Sequence, residues 1–152
     1  MKFEKFYKAI GTHGTIVEFD NGEKWLIGDN VGMVVPAGVN TLGIKADVTA
    51  ILKAIAESDE DDFDALILTA AELKPDGKAK DIVRIFETYY DEKTVSIRND
   101  QFGLLEKSDK LSYLEIDIPV PDSEDAIVKT EKYMIVRNLG NNIIGYIADI
   151  NN

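Results

Sequence analysis

Short runs of alternating apolar and polar residues make up most of this chain, and Asn, Asp, Gly and Pro break them up. Residues 15–35, "TIVEFDNGEKWLIGDNVGMVV", predict three strands joined by tight turns. Asn21-Gly22 is a favoured dipeptide for a two-residue hairpin loop, in which both central residues take φ > 0. Asp29-Asn30 supplies the second turn, and Pro36 ends the third strand. Alternation places Trp25 and Ile27 on one face and Lys24 and Leu26 on the other, which predicts a core position for Trp25.

Two segments carry the longer helical period. In residues 2–10, Phe3, Phe6, Tyr7 and Ile10 are helically spaced between lysines. In residues 46–57, Val48, Ile51, Leu52 and Ile55 form one apolar stripe, with Asp47 near the N-terminus, where its charge suits the helix dipole. Residues 39–45 are expected to form a strand leading into that helix. "ALILTAAEL", residues 65–73, reads equally as a buried strand or a short helix. "DIVRIFETYY" also has helical spacing, in Ile82, Ile85, Phe86 and Tyr89. Its β-branched and aromatic content, with "TVSIRN" directly after it, favours a hairpin. After a turn at Asn99-Asp100, "QFGLLEKS" and "LSYLEIDI" are read as strands and "PVPDSED" as a surface loop. A last hairpin runs from 126 to 150 around "LGNN". The expected fold is α+β and mainly β: about ten strands in antiparallel hairpins, with one or two helices.

The length, 152 residues, suits a single domain spanning 1–152. The chain has no cysteine, which removes disulfides, thiolate catalysis and Cys-based zinc sites. The net charge of −11 is concentrated in two places. Residues 57–64, "ESDEDDFD", hold six acids and no base, and residues 115–131 hold six acids against Lys129. The remainder is neutral, so a protein coated in basic surface for nucleic acid is not expected, although one local basic face is compatible with the balance. The opening residues lack the pattern of an export signal, and no apolar run approaches the ~20 residues of a membrane span. A cytoplasmic protein with no membrane partner is expected.

Candidate chemistry is sparse. His13, the only histidine, sits in the turn "GTHGT", where a solvated residue is a better reading than a base. "GTHG" has the G-x-x-G spacing of RNA-clamping loops but lacks their basic residues. Asp20, Glu23 and Asp29 could suggest a metal site, yet Asp beside Asn and Gly is what hairpin turns require. Counting from Asp59, the acidic run places Phe63 at the fifth position of a calcium loop and Asp64 at the glycine position, so that pattern fails. There is no phosphate-binding glycine loop, nucleophile elbow or H-E-x-x-H. No catalytic residue, metal or cofactor is expected.

The order helix, "TIVEFDNGEKWLIGDNVGMVVP", "TLGIK", "ADVTAILKAI" and then more strands resembles one domain of a DNA sliding clamp over residues 1–107. "TVSIRNDQFGLLEKSDKLSYLEI" is similar to the paired strands that finish half of such a domain. It also echoes the first hairpin at a constant offset: Val17 and Val95, Phe19 and Ile97, Asn21 and Asn99. The resemblance implies a processivity factor whose helices track phosphates through Lys2, Lys5, Lys8 and Lys53, with residues 108–152 as an additional hairpin unit. The small, hairpin-rich, cysteine-free chain also looks like many bacteriophage and prophage proteins, which would place it in the host cytoplasm. The leading expectation is a non-catalytic interaction or assembly protein. It would act through its surfaces, through self-association, or by docking a partner on Glu57, Asp59, Glu60, Asp61, Asp62 and Asp64. A DNA-replication accessory and a carboxylate- or metal-dependent hydrolase are the competing expectations.

Overall fold

The computed structural model describes residues 1–41, 43–73, 77–78, 82–120 and 127–152. The expected turn at 74–78 and the loop at 119–125 fall largely outside the described residues. Among these residues, ten strands form one sheet: β1 Thr15–Glu18, β2 Lys24–Ile27, β3 Val31–Val34, β4 Ile44–Lys45, β5 Asp64–Leu73, β6 Ile82–Thr88, β7 Thr94–Arg98, β8 Lys110–Pro119, β9 Val128–Arg137 and β10 Ile143–Ala148. Three helices accompany them: α1 Phe3–Ile10, α2 Ala50–Glu57 and the single turn α3 Asn99–Phe102. The fold is α+β and mainly β.

The strand order is β4-β1-β2-β3-β10-β9-β8-β5-β6-β7. Every pairing is antiparallel except β1 with β4. The hairpins are local, but β10 lies between β3 and β9 and so joins the first three strands to the rest.

Both faces of the central strands are buried, which gives two cores. On one face Leu26, Met33, Met134 and Val136 meet Phe6 of α1. Phe86, Val95 and Ile97 join this same core because β6 and β7 curl back over it. The curl is closed just beyond β10, where Ile150 N donates to Ser96 O over 3.0 Å. On the other face Val17, Trp25, Leu114, Tyr133, Ile135 and Tyr146 lie under Ile51 and Leu52 of α2. Trp25 is a core residue, as its alternation predicts, and its indole N–H donates to Glu23 Oε1 over 2.9 Å.

Four local expectations are corrected. Only Gly22 of the first turn has positive φ, +87°. Phe19 N donates to Glu23 O and Gly22 N to Phe19 O, so the loop is the three-residue form with glycine in the left-handed position. α2 begins after Thr49, whose extended backbone and Oγ1 make it the N-cap, with Leu52 N donating to it. Val48 therefore lies outside the helix, exposed rather than in the stripe. The strand expected over 39–45 shrinks to Ile44–Lys45, because β1 offers its outer edge only at Thr15 and Ile16. "QFGLLEKS" does not form a strand. Gln101 Oε1 accepts from Arg98 N and Gly103 N donates to Asn99 O, winding the first two residues of this segment into α3 and leaving the rest as turns before β8. The open choice at 65–73 resolves as strand, and so does the segment 82–88.

Candidate functional site

The acidic segment is an ordered ridge. α2 ends at Glu57, and Asp59 starts a single 3₁₀ turn, Glu60–Asp62. Asp59 N donates to the Asp62 carboxylate over 2.9 Å and Asp62 N to Asp59 O over 3.0 Å, so two of the acids shape the turn themselves. Phe63 anchors it by packing toward the second core, with the Arg137 guanidinium 4.9 Å from its ring centroid. Asp64 then opens β5. Glu57, Asp59, Glu60, Asp61, Asp62 and Asp64 are all exposed. Among the described residues, none has a cationic group within ion-pair distance; the pairs lie elsewhere, at Lys45–Glu18, Lys93–Glu115, Arg98–Asp100 and Lys132–Asp149, and between the Met1 ammonium and Asp109 and Glu106.

A second feature adjoins the ridge. β6 and β7 are joined by Tyr89–Glu92, closed by Thr88 N donating to Lys93 O over 2.9 Å. Tyr89 is 69% and Tyr90 94% exposed, with ring centroids 6.2 Å apart. Leu66 pairs with Thr88, so Asp64 stands only two residues from the base of this loop. Asp64 also pairs with Tyr113 of β8. The Lys93 ammonium lies 5.5 Å from the Tyr113 ring centroid and 3.6 Å from Glu115. Tyr113 donates its hydroxyl to Glu115 over 2.7 Å. Burial, then that hydrogen bond and the surrounding carboxylates, push the Tyr113 phenol well above its ordinary range. It stays neutral at ordinary pH and keeps its proton for the bond to Glu115. The junction thus presents carboxylates beside two open aromatic faces, and both kinds of group favour cations.

The four candidate lysines do not form one face. Lys2, Lys5 and Lys8 lie along or just before α1, over the first core. Lys53 is on α2, against the opposite side of the sheet. Lys5 Nζ also donates to Gly103 O over 3.3 Å. His13 is exposed in a 3₁₀ turn, and Asp20 and Asp29 are exposed near hairpin turns. Among the described residues, no three His, Asp or Glu side chains gather as a metal cluster, and no helix is long and apolar enough to cross a membrane.

Sequence reasoning missed Tyr89, Tyr90, Glu92 and Glu115. The available signal was "TYYDEK", an aromatic pair running straight into acids at a hairpin turn. Helical spacing counted Tyr89 as apolar instead. Compared with known proteins, the chain matches no family model, no curated protein sequence and no solved structure.

Proposed function

We propose that this is a non-catalytic interaction protein, and that the ridge at 57–64 with the Tyr89–Tyr90 loop docks a basic protein partner. One observation carries the reading: six exposed carboxylates are held on an ordered segment with no cationic partner among the described residues. Such a segment repels itself in the free protein, and a cationic partner relieves that repulsion. It also attracts a basic surface from a distance, raising the association rate. The neighbouring tyrosines add contact area of the kind enriched at interfaces, at little cost in side-chain entropy.

The test is titration of an oligo-arginine peptide at several salt concentrations. A ridge variant, Asp59→Asn with Glu60→Gln and Asp61→Asn, leaves Asp62 in place to cap the turn. A control variant, Glu4→Gln with Asp20→Asn and Glu72→Gln, removes the same charge elsewhere. The ridge variant is expected to lose about tenfold in affinity at low salt, and the control much less. Equal losses would mean that net charge alone attracts the peptide, and the reading would fail. A DNA duplex serves as the contrasting probe: salt-sensitive duplex binding lost on changing Lys2, Lys5 and Lys8 to Glu would favour the replication-accessory reading instead.

A further inference from the structure

Three stretches far apart in the chain meet at one corner of the fold: α1, the β2–β3 turn, and the run from β7 into α3. They surround a cavity of about 320 Å³. Its apolar wall includes Phe6, Ile10 and Leu104, and four charged side chains line it, Lys5, Arg98, Asp29 and Asp100.

Gln101, only 3% exposed, is the informative residue. Its Oε1 accepts from Arg98 N over 2.9 Å, which fixes the orientation of the amide. Its Nε2 has no partner among the described residues. Yet no fully buried side-chain nitrogen or oxygen among those residues lacks one, so Nε2 keeps some accessible surface, and Gln101 is one of the residues that line the cavity. Lys5 leans over the same corner: a Cβ on Gly103 would stand 3.0 Å from its Nζ. Among the described residues, Lys5 has no carboxylate within ion-pair distance, and Arg98 uses only Nε, on Asp100. Three donor groups therefore remain on the α1–α3 side, while Asp29 lies on the β2–β3 turn without an ion pair among the described residues.

We infer that this corner cavity binds a small zwitterion with an apolar body, an amino acid with an aliphatic side chain. The donors of Lys5, Arg98 and Gln101 match a carboxylate, Asp29 matches an ammonium group, and the apolar wall takes the side chain. A zwitterion carries no net charge, so the acidic chain does not repel it as it would a simple anion. The site is separate from the ridge and does not depend on partner docking.

The test is calorimetric titration with L-leucine and with its two half-molecules, 4-methylpentanoate and isoamylamine. Leucine is expected to bind in the millimolar range or tighter, and each half-molecule at least about tenfold more weakly. Gln101→Glu keeps the acceptor for Arg98 N but replaces the free donor with negative charge. Lys5→Met and Asp29→Asn alter exposed side chains, so they test the site even if the buried change impairs folding. Each variant is expected to weaken leucine binding about tenfold or more, with the ridge variant unaffected. No detectable leucine binding, equal binding of 4-methylpentanoate, or unchanged binding in Lys5→Met and Asp29→Asn would each overturn the proposal.

Discussion

Lys132 of β9 and Asp149 just beyond β10 form a clasp, with Nζ 3.7 Å from Oδ2 and the carboxylate side chain 1% exposed. The same ammonium donates to Thr94 O on β7, and Asp149 Oδ1 accepts from Asn151 N. One cation thus ties β7, β9 and the C-terminal turn together. Lys132→Met leaves a buried carboxylate without its cation. A loss of about 2–3 kcal/mol is expected, at or just below the low end for fully buried pairs because Lys132 is itself part-exposed. Adding Asp149→Asn should recover part of the loss, since the amide oxygen can still accept from Asn151 N. Urea unfolding of the single and double variants measures both effects.

Alkaline stability should be limited by three tyrosines. Burial, aided by Glu131, pushes Tyr133 up to about 12. Burial also raises Tyr113 and Tyr146 well above the ordinary value. Unfolded tyrosine ionises near 10, so above that pH the unfolded chain releases protons that the folded one keeps. These tyrosines therefore leave stability unchanged from neutral pH to about 9 and lower it from about 10 upward, with a limiting slope of about 1.4 kcal/mol per pH unit for each. Tyr146→Phe should make the fall shallower. Urea midpoints from pH 8 to 11 would show it, and a flat profile across that range would contradict the burial argument.

Gly32 is required by an aromatic ring. It pairs with Tyr146 across β3 and β10, and a Cβ at Gly32 would overlap the Tyr146 ring at Cε1. Tyr146 cannot easily move, because it stacks on Trp25 with centroids 6.1 Å apart and meets Tyr133 edge-on. Gly32→Ala should cost about 2–3 kcal/mol through overpacking. It should also shift the near-ultraviolet circular dichroism of the aromatic cluster.

Thr49, rather than Asp47, should govern the start of α2. Thr49→Ala is expected to cost about 0.5–1 kcal/mol, because the Leu52 N to Oγ1 bond is long at 3.5 Å. Asp47→Ala should change stability by less. A larger effect at Asp47 in thermal melts would restore the earlier helix start.

Legibility followed the range of the forces involved. α1 and the hairpins are local, and their spacing is readable in Phe3, Phe6, Tyr7 and Ile10 or in Trp25 and Ile27. The ridge is readable from composition alone. The tyrosine loop is not, since Tyr89 lies just past the end of β6, whose last pairs are Thr88 with Leu66 of β5 and Glu87 with Thr94 of β7. "ALILTAAEL" reads as a buried segment, yet Ile67, Leu68 and Leu73 are exposed and only Leu66 is buried, where β5 runs on past its short pairing with β8. No linear signal joins Lys5, Asp29 and Gln101, which meet only through the fold of the whole sheet.

The place of β10 between β3 and β9 sets the order in which the molecule can assemble. Met33 pairs with Gly145 and Ile135 with Tyr146, so the hairpins on either side have no ladder between them until the strand that follows all the others is made. Closing so long a stretch of chain is slow compared with forming a hairpin, and folding should resemble that of all-β proteins, on a scale of about milliseconds to seconds. During synthesis the first three strands would wait with an open edge at β3, the most exposed moment in the life of the chain to mispairing.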